Sequence, residues 1–88
     1  MRLKPAPQVA WQVVDGEAVV VDLASGVTIG LNPAGTFIWS QLAGHDENDI
    51  AAATATHFDI DAQTAAADVD EFLRMLRARN LIVEESAA

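Results

Sequence analysis

The run Val27-Thr28-Ile29-Gly30-Leu31-Asn32-Pro33-Ala34-Gly35-Thr36-Phe37-Ile38-Trp39 changes its periodicity in the middle, and that change decides the fold. From Val27 to Leu31, apolar side chains alternate with Thr28 and Gly30, the two-residue period of a strand with one buried face. At Asn32-Pro33 that period stops. Asn accepts hydrogen bonds from free N–H groups at a helix start, and Pro at the first helical position lacks an N–H that would be orphaned anyway. A helix is therefore expected from Pro33 to about Ala43, ended by Gly44. Its Ala34, Phe37, Ile38, Trp39 and Leu42 cover more than one stripe, so it should be buried on most sides.

Working upstream, Val9 to Val14 reads as a strand that runs into Asp15-Gly16, a pair suited to a two-residue hairpin turn. The next strand, Glu17 to Leu23, carries β-branched residues on both faces, as suits the centre of a small sheet. Ala24-Ser25-Gly26 turns the chain into the strand at Val27. Downstream, Asp46 should cap a second, alanine-rich helix from about Glu47 to His57, with Ile50, Ala53, His57 and Phe58 at helical spacing. Asp61 should cap the longest helix, about Ala62 to Arg79, with Ala62, Ala66, Val69, Phe72, Leu73 and Leu76 as its core stripe. Arg74, Arg77 and Arg79 near its end complement the helix dipole. Asn80 is a left-handed terminator, after which Leu81-Ile82-Val83 returns to the core before a polar tail. The order β-β-β-α-α-α makes an α+β domain of winged-helix-like character, a three-stranded antiparallel meander followed by three helices. Residues 1–88 should form one domain, with a folded core over about 9–83 and flexible termini.

A chain of 88 residues has room for one modest core and no separate catalytic lobe. No apolar stretch could span a bilayer, and no apolar segment follows Met1-Arg2-Leu3-Lys4-Pro5 to make a secretory signal. Absence of cysteine excludes disulfides and thiolate metal sites, and a soluble, cytoplasmic protein without a membrane partner is expected. The formal charge of −8 is unevenly spread, since the basic residues are Arg2, Lys4, Arg74, Arg77 and Arg79 alone. Such a surface repels phosphate backbones, which argues against nucleic acid and points to a basic peptide or enzyme surface as partner. The alternative is that the acids provide solubility alone.

Residues that carry chemistry do not converge. His45 and His57 fall on different elements without a metal-binding spacing, and His57 reads as a partly buried packing residue. Asp59 and Asp61 read as helix caps. The glycines match no phosphate-binding pattern, and Ser25 and Ser40 lack a nearby base. Trp11 and Trp39 read as core aromatics. No catalytic residue, cofactor or metal is expected.

One pattern covers most of the chain: Val14-Asp15-Gly16-Glu17-Ala18, Val21-Asp22-Leu23 with Ser25-Gly26, and Leu31-Asn32-Pro33-Ala34-Gly35-Thr36 with Ile38-Trp39. It continues through Phe58-Asp59-Ile60-Asp61, Asp68-Val69, Phe72-Leu73, Leu76 and Leu81-Ile82. With it the chain resembles the PqqD family. It departs from that pattern at Thr28-Ile29, where many relatives carry aromatic residues, and at Asn80, where glycine is common. The resemblance implies a non-enzymatic peptide-binding domain serving the maturation of ribosomally made, modified peptides, in pathways like those of pyrroloquinoline quinone or lasso peptides. It further implies that a precursor's leader peptide pairs as a fourth strand along the third, in the groove beside the third helix. The leader is thereby presented to a modifying enzyme, such as a radical enzyme or a leader peptidase.

Elementary physics agrees with that mode, because outer strands of a meander leave unpaired N–H and C=O groups that a peptide can satisfy. The expected peptide-binding residues are Val27, Thr28, Ile29, Gly30 and Leu31 on the strand. On the helix they are Ala65, Asp68, Phe72, Met75 and Arg79, the stripe beside the core stripe. Met75 would give a flexible, polarizable lining. An open edge also leaves homodimerisation available. Two competing readings are a winged-helix DNA-binding protein, which the charge opposes, and a structural subunit that docks an enzyme without touching peptide.

Overall fold

The computed structural model describes residues 2–85, in the order β1 (Arg2–Pro5), β2 (Val9–Val14), β3 (Glu17–Asp22), β4 (Thr28–Gly30), α1 (Pro33–Ser40), α2 (Glu47–Phe58), α3 (Ala62–Ala78) and β5 (Ile82–Glu85). The meander forms as expected, with β3 between β2 and β4 and both pairings antiparallel. Asp15 (φ 52°) and Gly16 (φ 80°) make the turn between β2 and β3, both left-handed, the conformation that matches the twist of the flanking strands.

Each helix starts on the cap the sequence indicates. The Asn32 side chain accepts the Gly35 N–H at 2.8 Å, and that of Asp46 accepts the Asp49 N–H at 2.8 Å. Asp61 accepts from Gln63 and Thr64 N–H at 2.7 and 3.2 Å and from the Thr64 hydroxyl at 2.6 Å. These bonds hold the Asp61 carboxyl below its usual pKa, the hydroxyl contributing most. Asp59 caps the end of α2 instead of the start of α3, in a left-handed conformation with its N–H on the carbonyls of Ala55 and Thr56.

The flexible N-terminus is a correction. Arg2–Pro5 pairs antiparallel with Ile82–Glu85, and Leu3 is 1% exposed in the main core with Ile38, Trp39, Leu42, Leu73 and Leu76. The order is thus β-β-β-β-α-α-α-β, with a second, two-stranded sheet. Residues 86–88, the rest of the expected polar tail, lie outside the described residues. The same strand explains why α1 stops at Ser40 and not at Ala43. Leu3 N–H bonds to the His45 carbonyl at 3.1 Å and Leu3 bridges Ala43, so this main chain serves β1 instead of a further helical turn.

Helix α3 turns Ala65, Val69, Leu73 and Leu76 into the core, while Ala62 and Ala66 are exposed. Helix α2 buries Ile50 and Thr54, the Thr54 hydroxyl donating to the Ile50 carbonyl at 2.7 Å, and leaves His57 and Phe58 exposed. Among the described residues no helix is long and apolar enough to cross a membrane.

Candidate functional site

Strand β4 ends the meander, and among the described residues no strand is bonded to its outer side. The orientation of its main-chain groups follows from the bonds that flank it. Asp22 N–H donates to the Val27 carbonyl at 2.9 Å and Leu31 N–H to the Ala18 carbonyl at 2.8 Å. Hydrogen-bonded and non-hydrogen-bonded pairs alternate along an antiparallel ladder. Val27, Ile29 and Leu31 therefore direct their polar groups at β3, with Ile29 opposite Val20, and Thr28 and Gly30 direct theirs outward. Neither charge nor proline blunts this edge. Gly30 has open space where a Cβ would stand, so another backbone can come close to it.

The C-terminal end of α3 reaches the start of β4 and its middle reaches the start of α1, so the helix runs opposite to the strand. At its C-terminal end Arg79, with Leu81, meets Val27 and Ile29, and these residues with Asp22 and Ser25 line a cavity of about 190 Å³. Toward the other end, the Phe72 ring packs on the start of α1, 3.1 Å from where a Cβ on Gly35 would be. Phe72 is half-buried against the core, as is Met75, which lies on α3 between Phe72 and Arg79. Asp68 and Arg79 are exposed, so α3 carries an acid one turn before Phe72 and a cation at its end. The ion pairs of the described residues engage Arg74 with Asp70 at 2.9 Å and Arg77 with Glu84 at 3.8 Å, and not Arg79.

Two of the expected binding residues offer no side-chain surface. Ala65 is fully buried, because α3 is rotated so that the Ala65-Val69-Leu73-Leu76 stripe faces the core. Leu31 is 5% exposed and its N–H is spent on Ala18.

Trp11 is a further correction. Only Trp39 is a core aromatic, at 2% exposed, whereas Trp11 is 47% exposed and touches it edge to face with centroids 6.1 Å apart. Trp11 lies on the other edge strand, where Val13 on the same face is equally exposed, so the helix layer covers this part of the sheet incompletely. His57 packs as expected but at the surface, stacked on Phe37 with centroids 4.1 Å apart and edge to face with Phe58. His45 Nδ1 lies 2.9 Å from the Gln41 carbonyl. Among the described residues no three His, Cys, Asp or Glu side chains group to hold a metal.

Against known proteins, the chain matches the family described as Coenzyme PQQ synthesis protein D (PqqD) over residues 17–82. It is similar to a solved structure of TbiB1 in complex with the TbiA(beta) leader peptide, with 29% identity and a TM-score of 0.86, over 96% of this chain and 99% of that one. It also shares its fold with lasso peptide synthetase B1 complexed with the leader peptide, with 20% identity and a TM-score of 0.85, over 96% of this chain and 100% of that one. No curated protein matches the chain.

Proposed function

Since the chain belongs to the PqqD family of non-catalytic peptide-binding proteins, we propose that it takes the leader of a ribosomally made precursor peptide as an added strand along β4 and presents it to a modifying enzyme. One observation carries this reading: Thr28 and Gly30 aim their N–H and C=O groups away from the sheet, where no strand among the described residues meets them. A peptide paired there gains main-chain bonds that tolerate many sequences. Its residues opposite Ile29 turn toward the cavity at Ile29, Leu81 and Arg79 and toward Met75 and Phe72, which would set specificity. The enzyme served would be of the radical or leader-peptidase type. The leader-peptide complexes of the two similar structures support the same assignment.

The test is a fluorescence-anisotropy titration of the isolated chain with labelled candidate leader peptides. Binding near micromolar, without enzyme, is the expected result. A folded chain that binds the enzyme but no leader would instead make it a docking subunit. Tight, steeply salt-dependent binding of duplex DNA would favour a DNA-binding role, which the acids Asp68, Asp70 and Glu71 on α3 oppose.

A further inference from the structure

The face of the meander that points away from the helices carries a group of valines among Gln12, Glu17 and Thr28, and nothing in the leader-binding reading uses it. Ala10, Gln12 and Val14 on β2, Glu17, Val19 and Val21 on β3, and Thr28 and Gly30 on β4 share this face, as the strand register requires. Ala18 and Val20 point the other way and are buried. A solvated face of an antiparallel sheet ordinarily carries polar side chains at its outward positions. Here Val14 is 50% exposed, and a shallow trough of about 290 Å³ runs over Ala10, Gln12, Val14, Val19 and Val21, with Trp11 at its border. Val14 at the trough's rim and the half-buried Val19 and Val21 in its floor give it an apolar lining that a partner's side chain can fill.

We propose that this face docks the modifying enzyme through an apolar patch edged with Lys and Arg, and that the bound leader completes the docking surface. The inference rests on strand addition at β4. Charge selects the occupant. The trough continues at its hairpin end into a hollow lined by Asp15 and Glu17, and no Lys or Arg occurs between residues 5 and 73. Two copies of the face would set acid against acid on a chain of net charge −8, whereas a basic rim is attracted.

Continuity of the sheet supplies the second argument. Residues directly opposed across an antiparallel pair have side chains on the same face. Leader residues opposite Thr28 and Gly30 therefore extend the open face, while the one opposite Ile29 enters the groove. An enzyme seated on Val14, Val19 and Val21 would touch those leader side chains as well. Leader and enzyme then raise each other's affinity by the same factor, as linkage demands.

The experiment uses the whole chain, the leader of the precursor encoded beside its gene, and the purified modifying enzyme from the same gene neighbourhood. Enzyme affinity is measured with and without saturating leader, for wild type, Val14→Lys and Val21→Lys. Each variant should weaken enzyme binding about tenfold or more, the scale of a lost interface anchor. Leader affinity and melting temperature should stay at wild-type values, with the half-exposed Val14 guarding against misfolding at Val21. Leader should tighten enzyme binding to wild type by about fivefold or more. With leader binding intact, wild-type enzyme affinity in both variants, or no effect of leader on it, overturns this proposal alone. So does a sedimentation experiment in which the chain dimerises and Val14→Lys dissociates it. Failure of the leader to bind wild type overturns this proposal and the strand-addition reading together.

Discussion

Ile29 stands opposite Val20 in a hydrogen-bonded pair of the β3–β4 ladder, while its neighbour Thr28 stands opposite Val21 in a pair that spends no main-chain bonds on the sheet. Proline separates the two. Ile29→Pro deletes a ladder donor and leaves the buried Val20 without its partner, at a cost of about 1–3 kcal/mol. Thr28→Pro deletes a donor that only an added strand would use, so it should stay folded and lose leader affinity by about tenfold. Thermal melts and a leader titration on both variants decide the matter. Full affinity in a folded Thr28→Pro chain would mean that the peptide does not pair with this edge.

Groove and core are separable on α3. Leu73, fully buried, should lose about 2–5 kcal/mol on replacement by alanine, with leader affinity preserved in the folded fraction. Met75→Asp places a carboxylate against the apolar wall of the groove and should weaken leader binding more than it lowers the melting temperature. Unchanged affinity in Met75→Asp would put the groove elsewhere.

Gly35 and Phe72 make a matched pair. An alanine at Gly35 would stand 3.1 and 3.2 Å from two ring carbons of Phe72 and 3.3 Å from the Asn32 Oδ1, so these neighbours must give by a few tenths of an ångström. Overpacking costs about 1–3 kcal/mol, against the roughly 0.5–1 kcal/mol that alanine recovers over glycine within a helix, so Gly35→Ala should destabilise. In a Phe72→Leu background only the approach to the Asn32 Oδ1 at 3.3 Å remains, and the same change should cost less. A double-mutant cycle by chemical denaturation measures the coupling, and equal effects in both backgrounds would refute it.

Asp61 gives the stability a dependence on acid. Its folded-state pKa is lowered, chiefly by the Thr64 hydroxyl and then by the Thr64 and Gln63 N–H groups. A lowered pKa means that the folded state holds the charged form more tightly than the unfolded chain does. That contribution is complete above the unfolded value, about 4, and is lost as pH falls through the folded one. Melting temperature followed from pH 6 downward should therefore fall less steeply for Asp61→Asn than for wild type. Parallel curves would show that the cap adds no acid dependence.

What could be read from the chain alone were features whose causes lie within a few residues of each other. Asn32, Asp46 and Asp61 cap the helices that follow them, Asp15-Gly16 turns the hairpin, and the alternation from Val27 to Leu31 makes β4, because each depends on local sterics and local hydrogen bonds. The face that α3 buries was misread because Ala62, Ala65 and Ala66 offer almost no contrast in hydrophobicity, so the packing of Val69, Leu73 and Leu76 fixes the rotation. Pairing of Arg2–Pro5 with Ile82–Glu85 joins the two ends of the chain, and no local pattern reports a contact of that sequence separation. The candidate site divides in the same way. That an uncharged edge strand lies beside a long helix is written in residues 27–31 and 62–79, but which of Thr28 and Ile29 faces outward depends on register against β3. The exposure of Trp11 and of the valine face depends on where the helices leave the sheet uncovered, which only the assembled layers decide, since burial belongs to the packing of distant elements and not to any one of them.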